Sequence, residues 1–341
     1  MNKKLMYSFT AIVGQEKMKE ALILNIINPS LGGVLIRGEK GTAKSTLVRG
    51  LADLLEDRLE SNCEFNCNPE KVDEFCEECL EKYRNSQCIE THIGKMKVIN
   101  LPISATEDRV VGTLDIEHAI KTGEKRFEKG ILANANRNIL YVDEINLLDD
   151  HIVDVLLDSA AMGVNTIERE GISFSHPAKF ILVGTMNPEE GDLRPQLLDR
   201  FGLVVDVIGE KDSLKRVEVI KRRLKFEANP QEFIKEYEEE EKKLREKIEE
   251  AKKRLKFIQC SDEIYEIIAK ISIELGVDGH RADMSIIKTA ITLAAFEGET
   301  EVKKENILKA AMLCLPHRMR RTPFDDGILE ESKISKIIEE M

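Results

Sequence analysis

The sequence lacks three features that would point to membranes or to nucleic acid. No uninterrupted apolar run among its 341 residues is long enough to cross a bilayer, so we expect no membrane contact. The stretch Met1–Tyr7 lacks the apolar segment of a secretion signal, which predicts a cytoplasmic protein. Basic residues are outnumbered, 51 against 63 acidic ones, for a formal net charge of −12. This balance argues against broad binding to nucleic acid, which needs a basic surface.

The composition and length of the chain are typical of a large globular protein. Charged residues make up 33% of the chain and hydrophobic residues 42%, and the length predicts roughly two domains. The chain has seven cysteines but no secretion signal. This combination predicts reduced thiols or a metal site rather than a disulfide framework.

A glycine-rich stretch between a strand pattern and a helix pattern organises the rest of the chain. The apolar run Gly33–Ile36 predicts a short buried strand, and apolar positions from Leu47 to Leu59 predict an amphipathic helix. Strand, glycine-rich turn and helix are the context of a phosphate-binding loop, because backbone N–H groups and the helix N-terminus converge on an anion. The predicted ATP-binding residues are Gly38, Glu39, Lys40, Gly41, Thr42, Ala43, Lys44, Ser45 and Thr46.

Two side chains of this loop have specific roles in such a site. Lys44 would reach the β- and γ-phosphates of ATP, and the Ser45 hydroxyl would ligate Mg²⁺. Ala43 stands where the usual motif has a second glycine, and we expect it to be tolerated if it keeps a negative φ. The alternative interpretation is a glycine-rich turn with a chance lysine.

Two adjacent carboxylates follow the second decisive strand pattern. The β-rich run Ile139–Val142 directly precedes Asp143 and Glu144. Ligands of a parallel α/β sheet bind at the carboxyl ends of its strands, so we predict that Asp143 lies beside the phosphate loop and holds Mg²⁺. Glu144 would point at the water that attacks the γ-phosphate. The alternative interpretation of the pair is a helix N-cap.

Three further polar residues complete the predicted ATP chemistry. Asn187 follows an apolar run and could hydrogen-bond the attacking water or the γ-phosphate, although an Asn before Pro188 also favours a plain turn. Arg200 could act on the γ-phosphate of a neighbouring subunit's nucleotide, or it could form surface salt bridges. Arg281, at the start of a helix pattern, could reach the phosphates from a lid.

An insertion over residues 61–90 has a different composition and contains five of the seven cysteines. Cys63 and Cys67 form a C-x3-C pair, and Cys76 and Cys79 form a C-x2-C pair. Two such pairs can supply four thiolates to one tetrahedral Zn²⁺, which would be structural because no coordination position stays open. The alternatives are reduced thiols without a metal and an iron–sulfur cluster.

These patterns predict an α/β fold with a parallel sheet in an αβα core, followed by a small all-α lid domain. The core would span residues 1–208 and would include the cysteine insertion at 61–90. Charged helix formers at 209–258 predict solvent-exposed connecting helices. Apolar helical faces at 259–341 predict the lid domain.

The order of phosphate loop, acidic strand end, Asn187, Arg200 and Arg281 resembles that of the AAA+ ATPases. The resemblance is closer still to the AAA+ subunit I of magnesium chelatase and extends over about residues 8–320. Five motifs carry it: Ala105–Glu117, Asn146–His151, Glu168–Gly171, Gly184–Glu190 and Leu193–Gly202.

The resemblance implies a hexameric ring with ATP bound between subunits. It implies Arg200 as the arginine finger, Asn187 as the first sensor residue and Arg281 as the second, with Arg281 able to act on a neighbouring subunit. It also implies that a separate large catalytic subunit inserts the metal, and that an adaptor D-type subunit with a metal-binding adhesion domain bridges the two. ATP hydrolysis would drive remodelling of that assembly.

Several functions stay open at this point. The cysteine insertion departs from the basic pattern of the photosynthetic enzyme, so the metal, magnesium or cobalt, and the tetrapyrrole are both undecided. A MoxR-like chaperone ATPase for metalloprotein maturation is the second hypothesis, because it shares the ATP machinery. A nucleic-acid motor like the related ring helicases is the third, and the acidic charge balance counts against it.

Overall fold

The computed structural model describes residues 5–39, 41–114, 127–169, 172–319, 329 and 331–340. Within these residues the strands are β1 (Val34–Gly38), β2 (Arg58–Ser61), β3 (Thr91–Gly94), β4 (Val98–Leu101), β5 (Gly112–Leu114), β6 (Phe127–Lys129), β7 (Ile139–Val142), β8 (Val164–Arg169), β9 (Ile172–Pro177), β10 (Ile181–Met186) and β11 (Leu203–Val207). The helices there are α1 (Glu16–Ile27), α2 (Lys44–Leu54), α3 (Glu77–Arg84), α4 (Glu107–Val111), α5 (Ile131–Ala135), α6 (Asp150–Met162), α7 (Pro195–Leu198), α8 (Ser213–Ala228), α9 (Pro230–Arg254), α10 (Asp262–Glu274), α11 (Arg281–Glu297), α12 (Lys304–Cys314) and α13 (Glu331–Glu339). None of the described helices has the length and apolar character needed to span a bilayer.

Five strands form one fully parallel sheet in the order β11, β1, β10, β7, β4. Successive side chains of a strand point to opposite faces. Accordingly, Ile36 and Tyr141 pack into one hydrophobic core, whereas Leu35 and Leu140 pack into the other. A parallel sheet that is covered on both faces explains why these strands are continuous apolar runs in the sequence. The predicted α/β fold with a parallel sheet is confirmed.

Helices cover both faces of this sheet. On one face, α1 and α2 share a continuous hydrophobic core with the C-terminal helices α10 to α13. On the other face, α4 to α7 and the strand β8 form the second core. The C-terminal helices are therefore packed directly against the core that holds the sheet.

The connecting helices are less exposed than the sequence predicts. α8 is exposed along most of its length, but α9 contacts α1, α2 and α11. Phe233, Ile248 and Ala251 of α9 are fully buried. The expectation of a solvent-exposed helix fails for one side of α9, because Ile248 and Ala251 pack into the core on the α1 and α2 face and Phe233 packs against Tyr7.

The helix after the glycine-rich turn is also shorter than predicted. α2 ends at Leu54, and Leu59 lies on β2 with an exposed side chain. Glu56 and Asp57 follow the end of the helix, where negative charge opposes the helix dipole and disfavours a further turn.

Three two-stranded sheets project from the core. β2 pairs with β3 on either side of the cysteine insertion, β5 pairs with β6, and β8 pairs with β9, all antiparallel. Parts of two motifs in the chelatase resemblance, residues 115–117 and 170–171, lie outside the described residues.

Candidate nucleotide site

The glycine-rich loop joins the carboxyl end of β1 to the first turn of α2. Gly38 is required by close packing, because a Cβ there would lie 2.0 Å from the carbonyl oxygen of Val207 on β11. Gly41 has φ +84°, and a Cβ built on it would meet no described atom within 4 Å. The loop therefore presents an open backbone concavity at the N-terminus of α2, which is the form of an anion site. Lys40, predicted as part of it, lies outside the described residues.

Ala43 corrects one expectation. It has φ 60° and ψ 19°, so it occupies the left-handed region immediately before α2 begins. The expectation that an alanine at this position keeps a negative φ is therefore wrong. The backbone must turn sharply to enter α2, and for a residue with a Cβ the left-handed region costs about 1–2 kcal/mol.

Lys44 is the first residue of α2 and is buried although it carries charge. Its Nζ donates a hydrogen bond of 2.6 Å to the carbonyl oxygen of Gly38 at the end of β1. The ammonium thus lies inside the loop. The half-buried Ser45 and Thr46 follow in the first turn of α2, and Thr42 Oγ1 donates to the carbonyl of Glu39 at 2.9 Å, which closes the turn.

Asp143 follows β7 directly and is held by two hydroxyl groups. Thr185 Oγ1 donates to Asp143 Oδ1 at 2.6 Å, and the Tyr141 hydroxyl donates to the same oxygen at 3.1 Å. Burial and the Asp143 charge raise the pKa of Tyr141 above its usual range, so this hydroxyl stays protonated as a donor. One carboxylate oxygen is fixed by these bonds, which leaves Oδ2 as the oxygen of Asp143 for a hard cation.

Glu144 is held in a strained backbone conformation beside Asp143. It has φ 49° and ψ 55°, a left-handed conformation that costs about 1–3 kcal/mol in a residue other than glycine. Its Oε2 accepts a hydrogen bond of 3.0 Å from the backbone N–H of Asn187, and its own N–H donates to Thr185 Oγ1 at 3.3 Å. The Glu144 carboxylate is therefore tied to the end of the neighbouring strand β10.

Asn187 forms the turn that the sequence favours, at the edge of the sheet where the acidic pair lies. Its Oδ1 accepts from the backbone N–H of Glu189 at 3.3 Å, so the side chain does cap the turn at Pro188–Glu190. The residue is also buried next to Glu144 at the end of β10. The turn is what brings Asn187 to the acidic pair.

The sheet order brings these residues together. β10 lies between β1 and β7, and Thr185 of β10 is in register with Ile36 of β1. All three strands run parallel, so the phosphate loop, Asn187 and the pair Asp143–Glu144 all lie at the same carboxyl edge. A concave donor loop with a buried ammonium shares this edge with two carboxylates, which suits a magnesium-bound nucleoside triphosphate.

Arg200 lies at the other edge of the sheet, three positions before β11 begins. Its Nη1 contacts Asp158 Oδ1 at 2.7 Å and Asp154 Oδ1 at 3.0 Å, both on α6. The surface salt bridge that the sequence allowed is therefore present.

Arg281 is brought to the same edge by the C-terminal helices. At the start of α11 it forms an ion pair with Asp199, the residue before Arg200. The buried Arg318 bonds the same Asp199 side chain at 3.1 Å and donates to the backbone carbonyls of Asp199 and Phe201 at 2.8 Å and 2.7 Å. The segment that carries Arg200 is thus fastened to the C-terminal helices.

The two groups of predicted residues are separated by the length of the central strands. β1 and β11 are in register over five residues, or about 16 Å at 3.3 Å per residue. Lys44 follows the carboxyl end of β1, whereas Arg200 precedes the amino end of β11. The structure does not bring Arg200 and Arg281 to the phosphate loop of their own chain.

The four cysteines of the two predicted pairs do come together. The Sγ atoms of Cys63, Cys67, Cys76 and Cys79 all lie within 4.8 Å of one another. Cys88 is exposed and is not part of this group.

Sequence reasoning missed the residues that orient the site. Thr185 is a buried threonine inside an apolar strand, and Arg318 lies in a turn after the end of α12, so neither has a local signal. Asp199 was visible only as a residue next to Arg200. The bond from Thr185 to Asp143 depends on which strands pair, and a single sequence does not show that.

Comparisons with known proteins agree with this geometry. A family model described as magnesium chelatase, subunit ChlI, matches residues 108–210, and one described as an AAA lid domain matches residues 265–337. The magnesium-chelatase subunit ChlI homolog of Methanocaldococcus jannaschii is 59% identical over 340 residues, covering 100% of this chain and 93% of that relative. This chain belongs to the ChlI family of magnesium-chelatase subunits.

Further ChlI relatives extend over the same length. The magnesium-chelatase subunit ChlI of Mesostigma viride is 52% identical, covering 97% of this chain and 93% of that relative. A solved structure of the complex between magnesium-chelatase subunits BchI and BchD contains a chain that is 44% identical, with a TM-score of 0.55 and coverage of 94% and 98%. The predicted resemblance and the AAA+ fold with a helical lid region are confirmed, and ChlI membership favours the chelatase hypothesis over the MoxR-like one.

Proposed function

We propose that this chain is the ATP-hydrolysing motor subunit of a metal–tetrapyrrole chelatase of the magnesium-chelatase type. The observation that supports it most directly is the meeting of Lys44, Asp143, Glu144 and Asn187 at one sheet edge in a member of the ChlI family. The names of the relatives favour magnesium over cobalt as the metal that the assembly inserts.

The residues of the loop would bind and orient the triphosphate. Backbone N–H groups around Gly41 and the N-terminus of α2 would hold its oxygens, and Lys44 would exchange its bond to Gly38 for the β- and γ-phosphates. Ser45 and Asp143 would hold Mg²⁺, which supplies charge neutralisation on the phosphate oxygens when bound. Thr185 and Tyr141 keep Asp143 in place for this task.

Glu144 would activate the attacking water. A carboxylate that accepts a proton from water in the transition state needs a fixed position, and the Asn187 N–H provides it through Oε2. Oε1 is then the oxygen of Glu144 that would face the water. The Asn187 side chain would orient the same water or a γ-phosphate oxygen.

The arginines would act between subunits. Arg200 and Arg281 lie on the opposite sheet edge from their own phosphate loop, which supports phosphate partners in a neighbouring subunit. An arginine donated across an interface stabilises the charge of the transferring phosphoryl group and can raise turnover by about 10³–10⁵. A closed ring of six subunits, as the AAA+ resemblance implies, would give every loop such a neighbour.

The partners of the motor follow from the family. We propose an adaptor D-type subunit with a metal-binding adhesion domain and a separate large catalytic subunit that inserts the metal. The structure of a BchI chain in complex with BchD supports the first of these. The cytoplasmic location, the division of the chain at residues 208 and 258, and the unlikelihood of nucleic-acid binding stay predictions.

The cofactors of this activity are ATP, as substrate, with Mg²⁺. A Zn²⁺ at the four cysteines would be structural, because four thiolates leave no open coordination position for catalysis. No step of ATP hydrolysis is assigned to it.

The role of Glu144 is tested by replacing it with glutamine. We expect Glu144→Gln to bind ATP as tightly as the wild type while its steady-state hydrolysis falls by about 10²–10⁴, the usual contribution of a positioned general base. The matched control is Glu189→Gln, an exposed carboxylate on the adjacent turn, which should hydrolyse ATP normally. Unchanged hydrolysis in Glu144→Gln would reject the role.

The chelatase assignment needs a separate assay. The purified chain is mixed with a D-type subunit, a large chelatase subunit, a porphyrin, Mg²⁺ and ATP, and metal insertion is followed by absorbance. Insertion that depends on this chain and fails with Glu144→Gln supports the assignment. A chain that hydrolyses ATP but neither binds these subunits nor supports insertion would favour the MoxR-like chaperone instead.

A further inference from the structure

The cysteine insertion contains a group of side chains that ATP hydrolysis does not use. Cys67, Cys76 and Cys79 are buried and Cys63 is half-buried, and their Sγ atoms all lie within 4.8 Å of one another. A tetrahedral Zn²⁺ with four thiolates at 2.3 Å places its sulfurs about 3.8 Å apart. The four sulfurs can reach this arrangement by small side-chain adjustments.

The backbone around the cysteines is arranged for sulfur ligands. Asn66 has φ 48°, so the chain turns back between Cys63 and Cys67, and the N–H of Cys67 donates to Cys63 Sγ at 3.4 Å. The N–H of Cys76 donates to Cys67 Sγ at 3.2 Å. These donors stabilise thiolates more than thiols, because hydrogen bonds to a charged acceptor are the stronger ones.

The second cysteine pair is positioned by a helix start. Cys76 is the N-cap residue of α3, and Cys79 lies in its first turn. The partial positive charge at a helix N-terminus favours anionic ligands. Two separate segments, a tight turn and a helix start, therefore bring their sulfur atoms to one point.

We propose that Cys63, Cys67, Cys76 and Cys79 bind one structural Zn²⁺, and that this ion fastens the strand pairs β5–β6 and β8–β9 to the core. A single ion fits the separation of the sulfurs, whereas an iron–sulfur cluster would require them to surround several metal atoms and stand farther apart. The inference is independent of the proposed motor function.

The fastening runs through Phe65, which lies between the first two ligands. Its ring stacks on His176 of β9 at 4.9 Å between centroids and on Phe127 of β6 at 6.2 Å. Phe127 in turn stacks on Phe174 of β9 at 4.6 Å. The strand pairs β5–β6 and β8–β9 thus share one aromatic cluster with the loop between the first two proposed metal ligands.

Polar bonds tie the same loop to the core. Asn136 Nδ2 donates to the Phe65 carbonyl at 2.7 Å, and Arg137 Nη1 donates to the Cys67 carbonyl at 3.2 Å. Lys129 Nζ at the end of β6 donates to the Glu64 carbonyl at 2.9 Å. All three acceptors are backbone carbonyls of the loop, so their positions depend on the fold that the metal would impose.

The position of the loop predicts which properties depend on the metal. Asn136 and Arg137 precede the amino end of β7, whereas Asp143 follows its carboxyl end. Loss of Zn²⁺ should therefore loosen β6 and β9 and leave ATP binding intact. An effect on β6 and β9 without an effect on ATP binding would distinguish a local stabilising role of the metal from stabilisation of the whole fold.

Metal analysis of the full-length protein tests the site. We expect one equivalent of zinc per wild-type chain and at least a tenfold loss in the double variant Cys76→Ser/Cys79→Ser. Cys88→Ser, an exposed cysteine of the same insertion outside the cluster, is the matched control and should retain the full equivalent. Equal zinc content in the double variant and the wild type, or bound iron in place of zinc, would overturn the proposal.

Hydrogen exchange tests the fastening. In the double variant we expect amides of β6 and β9 to exchange at least tenfold faster than in the wild type and in Cys88→Ser, with the Kd for ATP unchanged. Unchanged exchange in a zinc-free variant would overturn the fastening. Should the double variant not fold, wild-type protein loaded with Co²⁺ gives the answer: intense thiolate charge-transfer and tetrahedral d–d bands support the site, and their absence rejects it.

Discussion

At the scale of single residues, backbone strain is concentrated around the two sites. Six non-glycine residues in the described part of the chain have positive φ, and four of them are Ala43, Asn66, Arg137 and Glu144. Two of these four shape the nucleotide site, and the other two belong to the cysteine loop or bond to it. Such conformations persist only where the surroundings enforce them, which is why they are found at functional positions.

The strain at Ala43 leads to the first prediction. Ala43→Gly removes a Cβ from the left-handed region and should keep ATP binding and hydrolysis within about threefold of the wild type. Ala43→Val places a β-branched side chain in the same conformation and should weaken ATP binding by at least about tenfold, because the loop must change shape to accommodate it. Titration with a fluorescent ATP analogue measures both.

Comparing Ala43→Gly with Ala43→Val separates the effect of the backbone conformation from that of the added side-chain atoms. Ala161→Val, at an exposed position of α6 away from the loop, controls for the added methyl groups. Equal affinity of Ala43→Gly and Ala43→Val would show that the left-handed conformation at residue 43 is not needed for nucleotide binding.

The same residues show what a single sequence can and cannot predict about the site. Lys44, Asp143 and Asn187 could be predicted because each follows a strand, and parallel strands end at one edge. The φ of Ala43 could not, since nothing in the local composition distinguishes a left-handed alanine from a helical one. Thr185 could not either, because its bond to Asp143 requires β10 to pair with β7.

At the scale of elements, the C-terminal helices meet the segment before β11 through two buried polar side chains, His317 and Arg318. His317 lies directly before Arg318, after the end of α12, and its Nε2 is 3.1 Å from the Phe201 carbonyl. Its Nδ1 is buried with no hydrogen-bond partner in the described part of the chain. A neutral ring with Nε2–H donating fits these contacts, and a protonated ring does not.

This junction should make the protein sensitive to acid. Burial, with Arg318 and Arg37 nearby, holds the pKa of His317 well below its usual range. The unfolded chain then takes up a proton first as the pH falls, so stability is lost below about pH 6.5, by up to about 1.4 kcal/mol per pH unit. Thermal melts of the wild type and of His317→Gln, whose amide can still donate to Phe201, measure the effect between pH 7.5 and about 5.

The expected result is a difference in how steeply Tm falls with pH. The Tm of His317→Gln should fall less than that of the wild type as the pH is lowered. His151→Gln removes an exposed histidine and should follow the wild type. Parallel Tm curves for His317→Gln and the wild type would mean that His317 titrates normally in the folded protein.

Elements were predicted with uneven success for a physical reason. The strands β1, β7 and β10 were clear because parallel strands buried on both faces must be apolar throughout. The strand order was not accessible, since pairing depends on contacts far apart in the sequence. The charged composition of α9 predicts an exposed helix, yet three of its apolar residues are fully buried on one side: Phe233, Ile248 and Ala251.

At the scale of the whole molecule, the proposed mechanism gives each chain parts of two sites, at opposite edges of the sheet. The phosphate loop, Asp143 and Glu144 lie at the carboxyl edge, and Arg200 and Arg281 lie at the other. Neither half is sufficient by itself under the proposed mechanism. The C-terminal helices connect them, because Arg318 links the arginine-bearing segment to the helices that pack beneath α1 and α2.

A mixing experiment tests whether the halves combine between subunits. Lys44→Ala has an intact Arg200 and a damaged loop, whereas Arg200→Ala has the reverse, so each alone should hydrolyse ATP at least about 10²-fold more slowly than the wild type. In an equimolar mixture, roughly a quarter of the interfaces of a ring would pair an intact loop with an intact arginine. ATPase activity should therefore rise well above that of either variant alone.

The control uses two variants with damage in the same half. Lys44→Ala mixed with Glu144→Gln leaves every interface with a defective loop or a missing base, so no recovery is expected at any ratio. Size-exclusion chromatography of each mixture, with one variant carrying a fluorescent label, confirms that the subunits assemble together. Co-assembly of Lys44→Ala with Arg200→Ala without recovered hydrolysis would place the action of Arg200 within its own subunit, against the separation of about 16 Å along β1 and β11.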